Sequence, residues 1–227
     1  MSNWFSFHHI NNRFKFVGKK KQKFPFYFAA SIMIISGTWM VFYLLNTQGI
    51  HPFKTSSINK SPYHQEASFS QTVLFWYAEI QSWAEDFDLD PLLIATVMQI
   101  ESCGDPQAIS PAGAQGLFQV MPYHFQPNED MLDPQTNAAR GLTYLRNALN
   151  KSNGNVQLAL AGYNGGHTQI DRQPDHWPEE TKRYVAWGWG IYQDAQLGMI
   201  PGQTLTAWLD AGGQHLCRQA EISIGSP

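Results

Sequence analysis

Apolar positions recur along this chain at helical spacing and nowhere in a sustained period of two, so the pattern predicts helices and no sheet. A first candidate helix covers residues 70–86. Asp90-Pro91 then supplies an N-cap and a first-turn proline ahead of an apolar helix over residues 92–102. Asp133-Pro134 repeats that start signal before a helix reaching about Lys151, which the Asn153-Gly154 pair ends. A short apolar helix follows over 156–163, another over 178–195, and a tail helix over 204–211 carries Trp208. Residues 104–115 and 164–177 are rich in Gly, Pro, Ser and Asp and read as loops, where functional groups tend to gather. The expected fold class is all-α.

One stretch departs from the amphipathic pattern. Residues 24–45 carry no charge and are apolar on every face; at about 1.5 Å per residue such a helix spans roughly 33 Å, enough for the ~30 Å hydrocarbon layer of a membrane. Tyr27, Trp39 and Tyr43 lie toward its ends, and six basic residues from Arg13 to Lys23 precede it, which keeps the N-terminus in the cytoplasm. A cleaved signal peptide would have a shorter apolar region ending at small residues, whereas Leu44, Leu45, Asn46 and Thr47 offer no such site. The expected layout is a basic cytoplasmic segment (1–23), a single-pass anchor in the cytoplasmic membrane (24–45), a flexible polar linker (46–65), a main domain (66–200) and a C-terminal tail packed on it (201–227). The domain then lies in the periplasm or on the extracellular side.

Charge follows the same division. The net charge of −3 hides +8 over residues 1–65, which contain no acid, and −11 over residues 66–227. The basic arm is explained by membrane topology, and an acidic domain is a poor partner for nucleic acid, whose phosphates need a basic face. Charged residues at 15% and aromatics at 14% argue against disorder and leave enough apolar surface for a core. Two cysteines are too few for a thiolate zinc site, and His124, His167, His176 and His215 form no spaced pair and read as surface residues. No metal or cofactor is expected.

One carboxylate falls in the wrong place for a surface residue. At 100° per residue, Glu101 lies within about 60° of Ile94, Val97 and Met98 and so projects from the apolar stripe of its helix. Burial, and a position at the negative end of the helix dipole, both raise its pKa toward the range of a general acid. The competing reading is structural: Glu101 caps its helix, or pairs with Arg140 or Lys182. Asp105, Glu179 and Glu180 read as loop or helix N-terminus charges, and Cys103 has no His and acid arrangement that would make it a nucleophile.

The residues that follow favour the chemical reading. Glu101-Ser102, then Ser110-Pro-Ala-Gly-Ala-Gln-Gly-Leu-Phe-Gln-Val-Met-Pro122, then Ala161-Gly-Tyr-Asn-Gly-Gly166, then Glu180-Thr-Lys-Arg-Tyr-Val185 resemble, in order and approximate spacing, the lytic transglycosylases of the soluble type. The resemblance covers about residues 80–195 and implies a lysozyme-like helical domain of the goose-type and transglycosylase kind. It further implies cleavage of the β-1,4 bond between N-acetylmuramic acid and N-acetylglucosamine in peptidoglycan glycan strands, ending in a 1,6-anhydro product. Glu101 matches the catalytic acid, which also serves as the base; glycosidases in general use two carboxylates at fixed separations. Ser110, Gln119, Tyr163 and Asn164 match groove-lining positions, and Tyr184 matches the tyrosine whose hydroxyl contacts the acid. Phe118 stands where methionine is usual, Gly162 and Gly165 where alanine is common, and residues 167–177 have no counterpart. A hydrolytic muramidase of the same fold, and a non-catalytic glycan-binding scaffold of an envelope complex, are the rival readings.

Cys103 and Cys217 both lie on the expected exported side, where disulfides persist. A bond between them would pin the tail beside the helix that carries Glu101; two buried free thiols are the alternative.

Overall fold

The computed structural model describes residues 68–225. The basic segment, the anchor over 24–45 and the linker over 46–65 lie outside those residues. Among the described residues no helix is long and apolar enough to cross a membrane, and no strand forms; two isolated bridges, Ile109 with Gln115 and Gln115 with Val120, are the only sheet-like pairings. The helices are α1 (Gln71–Leu74), α2 (Tyr77–Phe87), α3 (Pro91–Glu101), α4 (Pro134–Lys151), α5 (Val156–Gly165), α6 (Glu179–Gln196), α7 (Gln203–Trp208) and α8 (Gln214–Ser223).

The start signals read from the sequence operate as local chemistry predicts. Asp90 accepts from the Leu92 amide at 2.9 Å ahead of Pro91, and Asp133 accepts from the Thr136 amide at 2.8 Å ahead of Pro134. Asn155 caps α5 through the Leu158 amide at 3.1 Å. Each side chain satisfies a donor that the first helical turn leaves without a partner.

Two expectations are corrected. The helix expected over 70–86 is broken between α1 and α2, at Phe75 and Trp76. The cause is tertiary: the Trp76 indole is buried and donates to the Gly104 carbonyl at 2.9 Å, while its ring stacks on Trp83 with centroids 6.4 Å apart. The tail is also more than the helix expected over 204–211. After α7 it passes through a wider turn, Leu209–Gly213, and continues as α8. Gly212 adopts φ 122°, and a Cβ on Gly213 would lie 2.4 Å from the Trp208 ring, so the reversal requires glycine at both places.

Helix α3 is the centre of the fold. Its residues from Leu92 to Glu101 are all buried, and it packs against α6, α2 and the loop that follows it. Burying each of its large apolar side chains is worth about 1.5–3 kcal/mol, which fixes the axis of this helix before any polar contact is counted. Helices α4, α5 and α6 pack in succession along the chain, α5 against both neighbours. The tail returns to the start of the domain, where α8 meets α1, and a disulfide joins Cys103 to Cys217 with S–S 1.98 Å. Closing a loop of 114 residues is worth about 4–5 kcal/mol in the chain-entropy account.

Candidate active site

The site is assembled from the end of α3, the loop after it, the end of α5 and the first two turns of α6. Glu101 is the last residue of α3 and is 4% exposed. The Tyr184 hydroxyl, from α6, donates to Glu101 Oε1 at 2.7 Å. Burial pushes the Tyr184 phenol well above its ordinary value, and the charges of Glu101 and Tyr163 push it further. Tyr184 therefore stays protonated at every working pH and is a permanent donor to the carboxyl. The basic partners of the structural reading are engaged elsewhere: Arg140 pairs with Glu129, and Lys182 with Glu179 at 2.8 Å.

The loop after α3 is held from three sides. Ser102 Oγ donates to the Leu117 carbonyl at 2.8 Å, so the residue beside Glu101 ties down the far side of the loop. Asn137, fully buried on α4, accepts from the Phe118 amide at 2.9 Å and donates to the Gln115 and Met131 carbonyls at 2.7 and 2.9 Å. Gly116 permits that approach, because a Cβ there would lie 2.4 Å from Asn137 Nδ2. From α5, the Tyr163 hydroxyl donates to the Phe118 carbonyl at 2.8 Å. Burial, then the nearby Glu101 charge, raises the Tyr163 phenol well above its usual range, so this donor is also permanent.

The residues expected to line a groove divide into two groups. Gln119, Tyr163 and Asn164 line one pocket, together with Met121, His124 and Tyr144. Ser110 is buried and not among its lining residues; its Oγ accepts from the Ala114 amide at 3.0 Å and closes a turn of the loop. Gln119 adopts φ 46°, and its NH2 donates to the Ala108 and Gly116 carbonyls at 3.1 and 3.0 Å. Both bonds brace the loop. Asn164 is 8% exposed, and its Oδ1 accepts from Thr181 Oγ1 at 2.9 Å.

The departures from the family pattern have physical counterparts. Phe118 is fully buried and meets Trp83 edge-on at 5.8 Å, so it serves the core. A Cβ on Gly162 would lie 2.7 Å from Ile170, and one on Gly165 would lie 2.7 Å from Thr181 Oγ1. The segment without a counterpart forms two 3-10 turns, His167–Asp171 and Pro174–His176.

Several site residues escaped the sequence reading. Asn137, Gly141 and Tyr144 share one face of α4 at helical spacing, a signal that was present. His124 and His167, expected at the surface, are instead part of an aromatic row: His124 lies 4.8 Å from Tyr144, and His167 stacks on Tyr144 at 4.1 Å. His167 Nε2 donates to the Tyr144 carbonyl at 3.2 Å. Tyr123, 70% exposed, extends the row to the rim through His124 at 4.5 Å. Among the described residues no group of His, Cys, Asp and Glu could hold a metal ion.

The buried Glu101 carboxyl is thus held by a tyrosine, and Tyr163, whose phenol feels the Glu101 charge, lines the pocket of amides and aromatic rings. Residues 78–185 match the family model of the transglycosylase SLT domain. The span includes every residue from Glu101 to Tyr184 described above. A transglycosylase of Enterobacteria phage PRD1 is 36% identical over 113 residues, covering 49% of this chain and 40% of that protein. The membrane-bound lytic murein transglycosylase F of Alcanivorax borkumensis is 29% identical over 159 residues, covering 62% of this chain and 33% of its own length. The chain thus spans less than half the length of either relative. A lytic transglycosylase Slt structure from Pseudomonas aeruginosa aligns over 56% of this chain and 25% of its own, at 23% identity and a TM-score of 0.45, too low to bear on the fold.

Proposed function

We propose that the chain is a membrane-anchored peptidoglycan lytic transglycosylase, with Glu101 as its single catalytic acid and base. The observation that carries this reading is the buried Glu101 carboxyl fixed by the Tyr184 hydroxyl at 2.7 Å, close enough to Tyr163 to raise its phenol, while Tyr163 lines a pocket of amides and aromatic rings. Protonated Glu101 gives its proton to the glycosidic oxygen, and the C1–O bond of the N-acetylmuramic acid breaks. The resulting carboxylate takes the proton of that sugar's 6-hydroxyl as its oxygen attacks C1, closing the 1,6-anhydro ring. No water enters, and Glu101 ends the cycle protonated as it began.

Two of the three other acids weighed from the sequence have local partners, which supports a one-carboxylate scheme. Asp105 accepts from the Gln107 amide at 2.9 Å, and Glu179 pairs with Lys182, so both serve local structure. Tyr184 is the positioning donor for the acid. Tyr163, Asn164 and Gln119 are the substrate-binding groups, with aromatic faces for the sugar rings and amides for the acetamido groups and hydroxyls. Ser110 acts through the loop it closes. The anchor over 24–45, the linker over 46–65, the catalytic domain over 66–200 and the tail over 201–227 complete the reading, with the domain outside the cytoplasmic membrane. The similarity to the membrane-bound lytic murein transglycosylase F of Alcanivorax borkumensis accords with that location.

Digestion of purified peptidoglycan, with the products weighed, tests the reaction. Anhydro ends, lighter by one water than reducing ends, are expected from the native chain and none from Glu101→Gln. Reducing ends would replace the proposal with a hydrolytic muramidase. Unchanged turnover in Glu101→Gln would remove Glu101 from the chemistry.

A further inference from the structure

Glu101 and Asn164 arrive at the site on different helices, and a third helix touches both. Thr181 and Tyr184 stand three residues apart on α6, so they rise from one face with Cβ atoms roughly 5–6 Å apart. Each is buried, at 2% and 6% exposure, and each donates its hydroxyl proton to a polar group from another helix. Tyr184 donates to Glu101 Oε1 at 2.7 Å and Thr181 to Asn164 Oδ1 at 2.9 Å. One turn of α6 therefore grips the carboxyl at the end of α3 and the amide at the end of α5.

The Thr181 bond sets the sense of that amide. With Oδ1 turned toward α6, Nδ2 lies on the opposite side of the group. It makes no hydrogen bond among the described residues and is not among the buried polar atoms left without one, so it opens on the pocket that Asn164 lines. Asn164 thus presents a donor to a ligand. An amide turned the other way would present its oxygen and repel the acetamido carbonyl of an N-acetylated sugar. Gly165 makes the arrangement possible, because a Cβ there would come within 2.7 Å of the Thr181 hydroxyl.

We propose that Thr181 is a positioning residue that fixes Asn164 as a donor to the acetamido oxygen of the glycan, and that the Thr181 and Tyr184 hydroxyls together register this donor against Glu101. The proposal rests on the glycan-cleaving reading given above.

The test uses the full chain and a double-mutant cycle on peptidoglycan turnover. Thr181→Val, which keeps the shape and removes the donor, is expected to lower kcat/KM about tenfold, mainly through KM, and Thr181→Ser to recover most of that loss. In the Asn164→Ala background Thr181→Val should cost nothing more. Asn164→Asp, which still accepts from Thr181 but offers no NH2, should bind as weakly as Asn164→Ala. Native turnover in Thr181→Val, an equal loss in both backgrounds, or native binding by Asn164→Asp would each overturn the proposal. Binding of an N-acetylglucosamine tetramer to Glu101→Gln, with and without Thr181→Val, separates the two readings. If Glu101→Gln still cleaves, the function falls, while the ratio of the two dissociation constants continues to decide the role of Thr181.

Discussion

Gln99 and Glu101 leave the last turn of α3 about 200° apart, and both are buried, at 0% and 4% exposure. Gln99 enters a closed polar cluster. Its Oε1 accepts from the Ser70 amide and hydroxyl, both at 2.9 Å, and its Nε2 donates to Cys103 Sγ at 3.1 Å. Glu101 meets the Tyr184 hydroxyl on the other side, where Tyr163 lies between core and pocket. Burial is the same for both; the difference is titratability. A neutral amide with its hydrogen bonds closed ties two segments together, whereas a carboxyl in the same helix turn can take up and release a proton. Inward-facing polarity therefore marks a site only when the group has a proton to exchange and a concave surface beside it.

The sharpest test of that contrast is Glu101→Gln, which makes the second position chemically like the first. Turnover should fall by about 100-fold or more, the contribution of a general acid, while the thermal midpoint stays close to native. Gln99→Leu should do the reverse. It leaves the Ser70 amide without its acceptor and should cost about 1–3 kcal/mol in urea unfolding, with turnover per folded molecule retained. A loss of turnover at native stability in Gln99→Leu would erase the distinction. Tyr184→Phe removes a donor but not the acid, and a decrease of about tenfold in kcat is expected in a turnover assay on peptidoglycan.

The smallest expected effect concerns His124, whose pKa burial lowers from the ordinary 6.5. The unfolded chain then binds the proton more readily than the folded one. The contribution of His124 to stability is fully present above pH 6.5 and declines as pH falls through that value. Comparing urea midpoints of the native chain and His124→Gln at about pH 8 and pH 5 should show a slightly larger acid loss in the native chain.

What the sequence revealed, and what it hid, follows the range of the forces involved. The starts of α3 and α4 were legible because Asp90 and Asp133 act on amides two and three residues away. The break before α2 was not, because the carbonyl that draws in Trp76 belongs to Gly104, 28 residues on. Glu101 stood out because a carboxylate on an apolar stripe is anomalous within a single helix. Thr181 and Asn137 did not, since a buried hydroxyl or amide acquires its meaning only from the Asn164 side chain or the Gln115 and Phe118 backbone it meets. The motif located Ser110 and Gln119 within the site loop, but not their work of bracing it.

The bond between Cys103 and Cys217 closes a covalent ring, and every groove residue from Ser110 to Tyr184 lies inside it. A protease that cuts one exposed stretch of that ring, such as Gln126–Asn128 or Asp171–His176, opens the ring without releasing a fragment, because the two pieces remain joined through sulfur. A single nick therefore becomes a change of connectivity in place of a loss of parts.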